Sequence, residues 1–232
     1  MRFVINFSYY KQDYLFFDAV LNLKPNFNYV LFGAIGSGKT TLFEILCGLQ
    51  KDWQGTIDGI FCKDYKSDVR FSFLPSSPVL FENKSVLFNL NYACKVTIMA
   101  KPYEVAVDEC LLKFGLEGVK NIKVKKLDYV TKQKVAFARS YLKKPQVVLI
   151  DDLFLDVKSQ DEINQLSSLI SQVCEDKTKT VIIASTGFVR PEWNTSSYFV
   201  LKDKKIFEEQ SLKEVMQRHK EIDVKNKINL QV

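Results

Sequence analysis

A glycine-rich segment, LFGAIGSGKTTL, holds the residues of this 232-residue chain that are best suited to chemistry. Its spacing is Gly33-x-x-x-x-Gly38-Lys39-Thr40, which is the pattern of a phosphate-binding P-loop. Glycines let backbone N–H groups turn toward phosphate oxygens, Lys39 can reach the β- and γ-phosphates, and the Thr40 hydroxyl can bind Mg²⁺. The sequence therefore predicts a Mg-nucleotide site formed by Gly33, Gly36, Ser37, Gly38, Lys39, Thr40 and Thr41.

A pair of carboxylates follows the apolar run VVLI at Val147 to Ile150. In P-loop proteins the second protein ligand of Mg²⁺ is an Asp at the end of a buried strand. Asp151 meets that requirement, and Asp152 lies directly beside it. We expect Asp151 and Thr40 to bind the same ion.

The elements that must position these residues alternate between strand and helix patterns. NYVLF precedes the P-loop as a short buried strand, and Leu42, Ile45, Leu46 and Leu49 form an apolar stripe on the helix that follows. A helix is predicted from Thr131 to Leu142, and TKTVIIAS and YFVLKD read as further buried strands. This alternation around a phosphate loop indicates an α/β fold with a largely parallel sheet.

Two further helices carry capping signals. Ser159 and Glu162 form a capping-box pattern before an apolar stripe of Ile163, Leu166, Leu169, Ile170 and Val173. Ser211 and Glu214 precede a last helix with Leu212, Val215, Met216 and Ile222 on one face. The single histidine, His219, falls in that helix and is interpreted as a packed or half-exposed side chain.

A helical insertion is predicted between about Ser76 and Lys126. SVLFNLNYACKV and PYEVAVDECLLKFGL have helical spacing, and Pro102 stands where an N1 proline opens a helix. Three aromatic residues of this stretch, Phe81, Phe88 and Tyr92, either line a groove or belong to the core of the insertion.

Composition limits the class of protein. Apolar residues make up 47% of the chain and charged residues 26%, which fits a soluble globular protein. The net charge of +6 comes from dispersed lysines, so nucleic acid is not an expected partner. Five cysteines without a C-x-x-C pair favour a reducing compartment, and no apolar run approaches the roughly 18 residues that span a bilayer. Lys11 and Asp13 come too early for a signal-peptide core, so any membrane role is expected to depend on a partner.

With these motifs, nearly the whole chain resembles the ATP-binding cassette family, the nucleotide-binding domains that drive membrane transporters. FSY near the start looks like the adenine-stacking segment, which points to Tyr9, and LPSSPVLFENKSVLFNL looks like the glutamine-loop region. KQKVAFARSYLKKPQVVLIDD is similar to the stretch that joins the family signature to its Walker B motif. The match to PVLF and SV..N leans toward the exporter-type branch. The resemblance implies a RecA-like core (1–75 and 127–210) that includes an N-terminal antiparallel β subdomain, a helical subdomain (76–126), and a C-terminal helix and tail (211–232).

Three catalytic positions depart from the family pattern. Asp152 replaces the glutamate that activates the attacking water, and a side chain one methylene shorter lies about 1.5 Å further from that water. Misplacement on that scale can cost about 100-fold in rate. Thr186 replaces the switch histidine, and Ser76 replaces the glutamine that links Mg²⁺ to the helical subdomain.

The signature segment departs further. LDYVT, the run Leu127, Asp128, Tyr129, Val130 and Thr131, stands in place of Leu-Ser-Gly-Gly-Gln. In the family this segment contacts the γ-phosphate held by the opposite subunit. Tyr129 and Val130 are expected to crowd that approach, and Asp128 to repel phosphate, although Asp128 also suits the N-cap of the following helix.

These departures imply a Mg-ATP-binding subunit of a transporter in which hydrolysis is weak or absent. The expected partners are a transmembrane subunit or domain and a second, different nucleotide-binding domain, which places the chain at the cytoplasmic face of a membrane without direct insertion. A regulatory or scaffolding pseudo-ATPase, which uses ATP binding to stabilise a complex, is the alternative. The sequence leaves open the transported substrate and whether the chain is one domain of a longer protein.

Overall fold

A computed structural model describes residues 1–10, 13–51, 53–58, 60–61, 71–97, 103–155, 157–187 and 189–219. Pro102, the side chain of His219 and the tail after it lie outside the described residues, so the predictions made for them have no structural counterpart. Within the described stretches, no helix combines the length and apolarity needed to cross a bilayer.

Ten strands and six α-helices follow one another in the described part of the chain. The strands are β1 (Arg2–Tyr10), β2 (Asp13–Asn22), β3 (Asn28–Phe32), β4 (Gln54–Ile57), β5 (Ile60–Phe61), β6 (Phe71–Leu74), β7 (Val147–Ile150), β8 (Thr180–Ser185), β9 (Ser197–Lys202) and β10 (Lys205–Glu209). The helices are α1 (Lys39–Leu46), α2 (Val86–Val96), α3 (Glu104–Lys113), α4 (Tyr129–Leu142), α5 (Gln160–Cys174) and α6 (Leu212–His219).

The strands form two sheets. The larger sheet has the order β10-β9-β3-β8-β7-β6, and every pair in it is parallel except β9 with β10. The smaller sheet, β2-β1-β4-β5, is antiparallel. The predicted α/β fold with a mostly parallel sheet and an antiparallel N-terminal β subdomain is confirmed.

The central strand β3 is buried along its whole length because both faces of the large sheet are covered. Val30 and Phe32 face one apolar cluster, which includes residues of α2, α3, α4 and α5. Tyr29 and Leu31 face a second cluster, formed with α1 and the antiparallel sheet. Because side chains alternate along a strand, β3 packs against both apolar clusters. The P-loop, which follows β3, therefore begins between the two layers.

Helix ends differ from the sequence prediction at two places. α1 ends at Leu46 because Gly48, at φ +68°, reverses the chain, and Leu49, expected on the apolar stripe, is 62% exposed. α4 begins at Tyr129, two residues earlier than predicted, because Asp128 accepts a hydrogen bond from the Thr131 N–H and caps the helix.

The insertion holds α2 and α3 and two short 3₁₀ turns. Its apolar residues share one continuous cluster with α4, α5 and the large sheet. The boundaries that the resemblance implies, at 75/76 and 126/127, stay a proposal.

Candidate nucleotide site

Four segments meet at the carboxyl edge of the large sheet. The loop after β3 carries the P-loop, Ser76 follows β6, Asp151 and Asp152 follow β7, and Thr186 follows β8. Because these strands are parallel, all four ends lie on the same side of the sheet, where α/β proteins bind ligands.

Two P-loop glycines adopt a backbone conformation that disfavours side chains, and one of them also lacks room for a side chain. Gly36 and Gly38 have φ values of +78° and +103°, the left-handed region that side chains disfavour. A Cβ at Gly38 would lie 3.0 Å from side-chain atoms of Leu15 and Phe16, whereas one at Gly36 would meet nothing within 4 Å. The loop therefore packs tightly on the side of Gly38 and is open at Gly36.

Lys39 is folded onto its own loop. Its Nζ donates to the carbonyl oxygens of Gly33 at 2.8 Å and Ala34 at 3.1 Å, and the residue is 7% exposed. Burial lowers the pKa of Lys39, while Asp152 and Asp151 oppose that change. A phosphate chain bound at this loop would offer Lys39 acceptors in place of the two carbonyl oxygens.

The Ser37 hydroxyl supports the same ligand. Its Oγ is buried and has no hydrogen-bond partner among the described residues. A buried polar atom without a partner is unfavourable, and a phosphate oxygen at this loop could accept its proton. The orphaned hydroxyl, the open face at Gly36 and the start of α1 fit a nucleotide phosphate chain.

Thr40 and Asp151 lie in direct contact. The Thr40 hydroxyl donates to Asp151 Oδ2 at 2.7 Å, and the Asp151 N–H donates to the carbonyl oxygen of Leu74 on β6. Burial raises the pKa of Asp151, although the Thr40 hydrogen bond and Lys39 oppose the rise. A hydroxyl and a carboxylate oxygen at one point are ligands that suit Mg²⁺.

Asp152 and Thr186, two of the departures from the family pattern, are brought together. Thr186 lies close enough to the Asp152 carboxylate to influence its pKa, and Asp152 is 7% exposed. Burial raises the pKa of Asp152, while Lys39 and the Thr186 hydrogen bonds oppose the rise. Thr186 therefore faces the Asp152 carboxylate from the β8 side.

Tyr9 lies beside the P-loop helix. Its hydroxyl and the Thr41 Oγ1 are 2.9 Å apart and share a hydrogen bond, and its ring packs edge-on against Phe7. A cleft of about 360 Å³ opens here, lined by Tyr9, Tyr14, Leu15, Ser37, Leu201, Lys202, Asp203 and Lys204. Sequence reasoning missed Tyr14 and the turn between β9 and β10, because only strand pairing brings them to the loop.

Ser76 lies on a groove of about 570 Å³ that Thr40 and Asp151 also line. The Ser76 carbonyl oxygen accepts hydrogen bonds from the Tyr129 hydroxyl at 2.9 Å and from Gln133 Nε2 at 2.7 Å. Gln133 was not among the predicted site residues. Nothing in the local pattern of an amphipathic helix marks one glutamine as buried at a loop.

The signature segment turns inward more than expected. Val130 is 4% exposed and packs in the apolar cluster, so the expectation that its side chain crowds an incoming phosphate is wrong. Leu127 and Tyr129 are half-buried against the same cluster. Sequence periodicity alone did not show that the first turn of α4 begins inside the core.

Asp128 is exposed, and its two carboxylate oxygens are used by Thr131. Oδ1 accepts from the Thr131 N–H at 2.8 Å and Oδ2 from the Thr131 hydroxyl at 2.7 Å. Partial burial would raise the pKa of Asp128, but these hydrogen bonds outweigh it and hold the pKa below its usual value. A charged carboxylate therefore occupies the N-terminus of α4, where a phosphate would otherwise be attracted.

The three aromatic residues of the insertion form a partly exposed surface cluster. Phe81, Phe88 and Tyr92 are 40–42% exposed, and their ring centroids lie 4.7–6.4 Å apart. Lys84 Nζ lies 5.2 Å from the Phe88 ring centroid, and the Arg139 guanidinium lies 6.0 Å from that of Phe81. Arg139 also lines the groove that holds Ser76, so the cluster borders that groove.

Comparison with known proteins gives consistent matches. A family model described as ABC transporter matches residues 16–154. The structure of cbiO1 from Clostridium perfringens, described as part of the ABC transporter complex cbiONQ, is similar with a TM-score of 0.73 at 20% identity, over 96% of each chain. A structure described as the ATP binding subunit of an ABC transporter has a TM-score of 0.75 at 19% identity, covering 95% of this chain and 93% of that one. At these identities the two structures establish a shared fold.

Proposed function

The chain belongs to the ABC transporter family, and on that basis we propose that it is the ATP-binding subunit of a membrane transporter that binds Mg-ATP and hydrolyses it weakly or not at all. The observation that carries the binding proposal is the 2.7 Å hydrogen bond between Thr40 and Asp151, which joins the P-loop helix to the end of β7. Lys39 and the Ser37 hydroxyl, which has no hydrogen-bond partner in the described part of the chain, lie at the same loop.

In the bound state, Lys39 would exchange its two carbonyl acceptors for the β- and γ-phosphates, and Ser37 would gain an acceptor. Thr40 and Asp151 would hold Mg²⁺, whose charge neutralises the phosphate oxygens. The adenine base would lie in the cleft beside Tyr9 and Tyr14, where an aromatic face can stack on it.

The position of Asp152 supports slow hydrolysis. The shorter carboxylate faces Thr186, so it would have to turn away from Thr186 to reach a water at the γ-phosphate. Thr186 can donate a hydrogen bond to phosphate but cannot supply an imidazole.

The signature face supports the same conclusion for a partner's site. Asp128 carries a negative charge at the N-terminus of α4, and a carboxylate there repels the phosphate that this helix end would otherwise attract. Paired with itself, the chain would form two weakened sites. With a partner that keeps the family's catalytic residues and signature, one site would lack good catalytic residues and the other would lack a good signature. We propose a heterodimer because one site would then contain an intact signature segment.

A transmembrane partner is supported by the surface around the Ser76 groove. The aromatic cluster of Phe81, Phe88 and Tyr92 borders a groove of about 570 Å³ between α1 and α4, a shape that can receive a helix from a membrane subunit. The similar protein cbiO1 is described as part of a transporter complex. We therefore place this chain at the cytoplasmic face of a membrane, bound through its partner.

A scaffolding pseudo-ATPase is the second candidate, and the position of Asp152 against Thr186 favours it over an active motor. Co-purification separates the two. A membrane-spanning partner supports transport, whereas a soluble partner alone supports a scaffold.

The nucleotide proposal is tested by mixing the purified protein with stoichiometric labelled Mg-ATP and following the label, with Lys39→Ala as the control. We expect the wild type to retain intact ATP for hours and Lys39→Ala to retain none. Accumulation of ADP at a rate that Lys39→Ala abolishes would instead make the chain a working ATPase. Equal retention by both proteins would overturn the assignment of the site.

A further inference from the structure

Tyr129, the first residue of α4, contacts two loops of the nucleotide site at once. Its hydroxyl lies 2.9 Å from the carbonyl oxygen of Ser76 and 2.9 Å from that of Leu153. The single phenolic proton is shared between the two carbonyls. One side chain thus joins the loop after β6 to the loop after β7.

Gln133 lies one turn further along α4, on the same face of the helix. Its Nε2 donates to the Ser76 carbonyl oxygen at 2.7 Å and to the Tyr129 hydroxyl at 3.1 Å. The residue is fully buried, and its Oε1 has no hydrogen-bond partner among the described residues. A buried polar network that is only partly satisfied is less stable than an apolar one, so stability alone does not account for it.

The two loops that Tyr129 joins flank the proposed Mg²⁺ position. Ser76 lines the same groove as Thr40 and Asp151, and Leu153 directly follows Asp152. Tyr129 and Gln133 belong to α4, which contacts α2 and α3 of the insertion and β6 of the large sheet, so both side chains lie where the insertion meets the sheet.

We propose that Tyr129 is a positioning residue that braces the Ser76 and Leu153 loops in one arrangement, whether or not nucleotide is bound. The Tyr129 hydroxyl belongs to the signature segment, which in the family faces another subunit. Here it forms hydrogen bonds within its own chain. The start of the insertion at Ser76 is thereby tied to α4 and to the loop after β7 independently of the γ-phosphate. The brace itself stands on the hydrogen bonds above, and only its independence of nucleotide rests on the proposed function.

The test is hydrogen–deuterium exchange of the full chain, with Tyr129→Phe as the variant. This change keeps the ring in the apolar cluster and removes only the hydroxyl. Tyr141→Phe is the matched control, since it removes a hydroxyl from a half-exposed tyrosine at the far end of the same helix. Without nucleotide, we expect Tyr129→Phe to speed amide exchange of Ser76, Ser77 and Val79 and of 153–155 by about tenfold, the effect of losing one buried hydrogen bond.

Addition of Mg-ATP provides a readout that a purely structural contact would not change. In the wild type, exchange of Ser76, Ser77 and Val79 should not respond to nucleotide, and in Tyr129→Phe it should slow when nucleotide binds. No change on Tyr129→Phe, or an equal increase in β3 and β8, would overturn the brace. Binding of a fluorescent ATP analogue is measured separately. If the nucleotide proposal fails, the wild type will not bind the analogue. The exchange measured without nucleotide still decides whether the brace exists.

Discussion

The Thr40 hydroxyl donates a 2.7 Å hydrogen bond to Asp151 Oδ2, joining residues 111 positions apart at the point where Mg²⁺ is proposed to bind. We expect Thr40→Ala to weaken ATP binding at least about tenfold in Mg²⁺, on the scale of losing support for a bound metal, and to leave binding in EDTA unchanged. Thr178→Ala is the matched control, because Thr178 also donates its hydroxyl to an aspartate, Asp176, in a surface loop. Titration calorimetry with and without Mg²⁺ measures both. An equal loss in EDTA would place Thr40 outside the metal site.

Burial raises the pKa of Asp151, so its charged form is less stable in the folded chain than in the unfolded one. Asp151→Asn should therefore raise the unfolding temperature of the nucleotide-free protein at neutral pH. The gain should shrink as the pH falls through the raised pKa, where the wild-type carboxyl also becomes neutral. Thermal unfolding between pH 8 and pH 5, followed by circular dichroism, measures the difference.

Asp176→Asn is the control, for which the opposite change in unfolding temperature is expected. Partial burial would raise the pKa of Asp176, but Lys179 and Thr178 outweigh that effect and lower it to about 2. Asp176→Asn should lower the unfolding temperature at neutral pH, with the loss vanishing as the pH falls below the usual value toward 2. Two variants that shift in the same direction would contradict the assigned environments.

The length of Asp152 is expected to limit hydrolysis. Asp152→Glu should raise single-turnover hydrolysis of bound ATP by up to about 100-fold, because the added methylene extends the carboxylate toward the water. Asp152→Asn, which keeps the size and removes the charge, is the matched control and should show no gain. The proposal of slow turnover is refuted by fast wild-type hydrolysis that Asp152→Asn abolishes.

Phe88 is expected to contact a membrane partner. Phe88→Ala removes an exposed ring from the aromatic cluster and should reduce the amount of co-purifying membrane protein by about tenfold, the effect of losing an interface anchor. Val105→Ala, which alters a 65% exposed apolar side chain on α3, is the control and should have no effect. Equal recovery with both variants would move the docking surface elsewhere.

The capping box of α5 is expected to contribute to stability. Ser159 accepts from the Glu162 N–H, and the Glu162 carboxylate accepts from the Ser159 N–H, both at 3.2 Å. Ser159→Ala should cost about 1 kcal/mol, or about 2–4 °C in unfolding temperature. Ser168→Ala, at an exposed position in the middle of the same helix, should not lower the unfolding temperature, because alanine favours a helix interior. A similar loss for both variants would argue against the cap.

Features that depend on spacing along the chain were predicted correctly. The strand β3, the capping box at Ser159 and the Asp128 cap all depend on residues within a few positions of one another. The period of apolar residues sets the type of element, and the capping residues set its start. The end of α1 was misjudged because the glycine at position 48, and not the apolar stripe, decides where the helix stops.

Features that depend on the direction of a side chain were not predictable. Val130 was expected at the surface and is buried, and Tyr129 was expected to face outward but its hydroxyl bonds to carbonyls 53 and 24 positions away. These contacts follow from how α4 packs on the large sheet. A helical pattern gives the face that is buried, but it does not tell which backbone groups that face will meet.

The sequence alone determined the P-loop, the aspartate that follows β7 and the α/β fold, because each is encoded in local spacing. Only the tertiary structure decided that Asp152 faces Thr186 and that Tyr129 joins Ser76 to Leu153. The physical reason is the strand order: β7 lies between β6 and β8, so loops far apart in the chain end side by side at one sheet edge. Which of their polar groups then bond to one another is settled by packing in three dimensions.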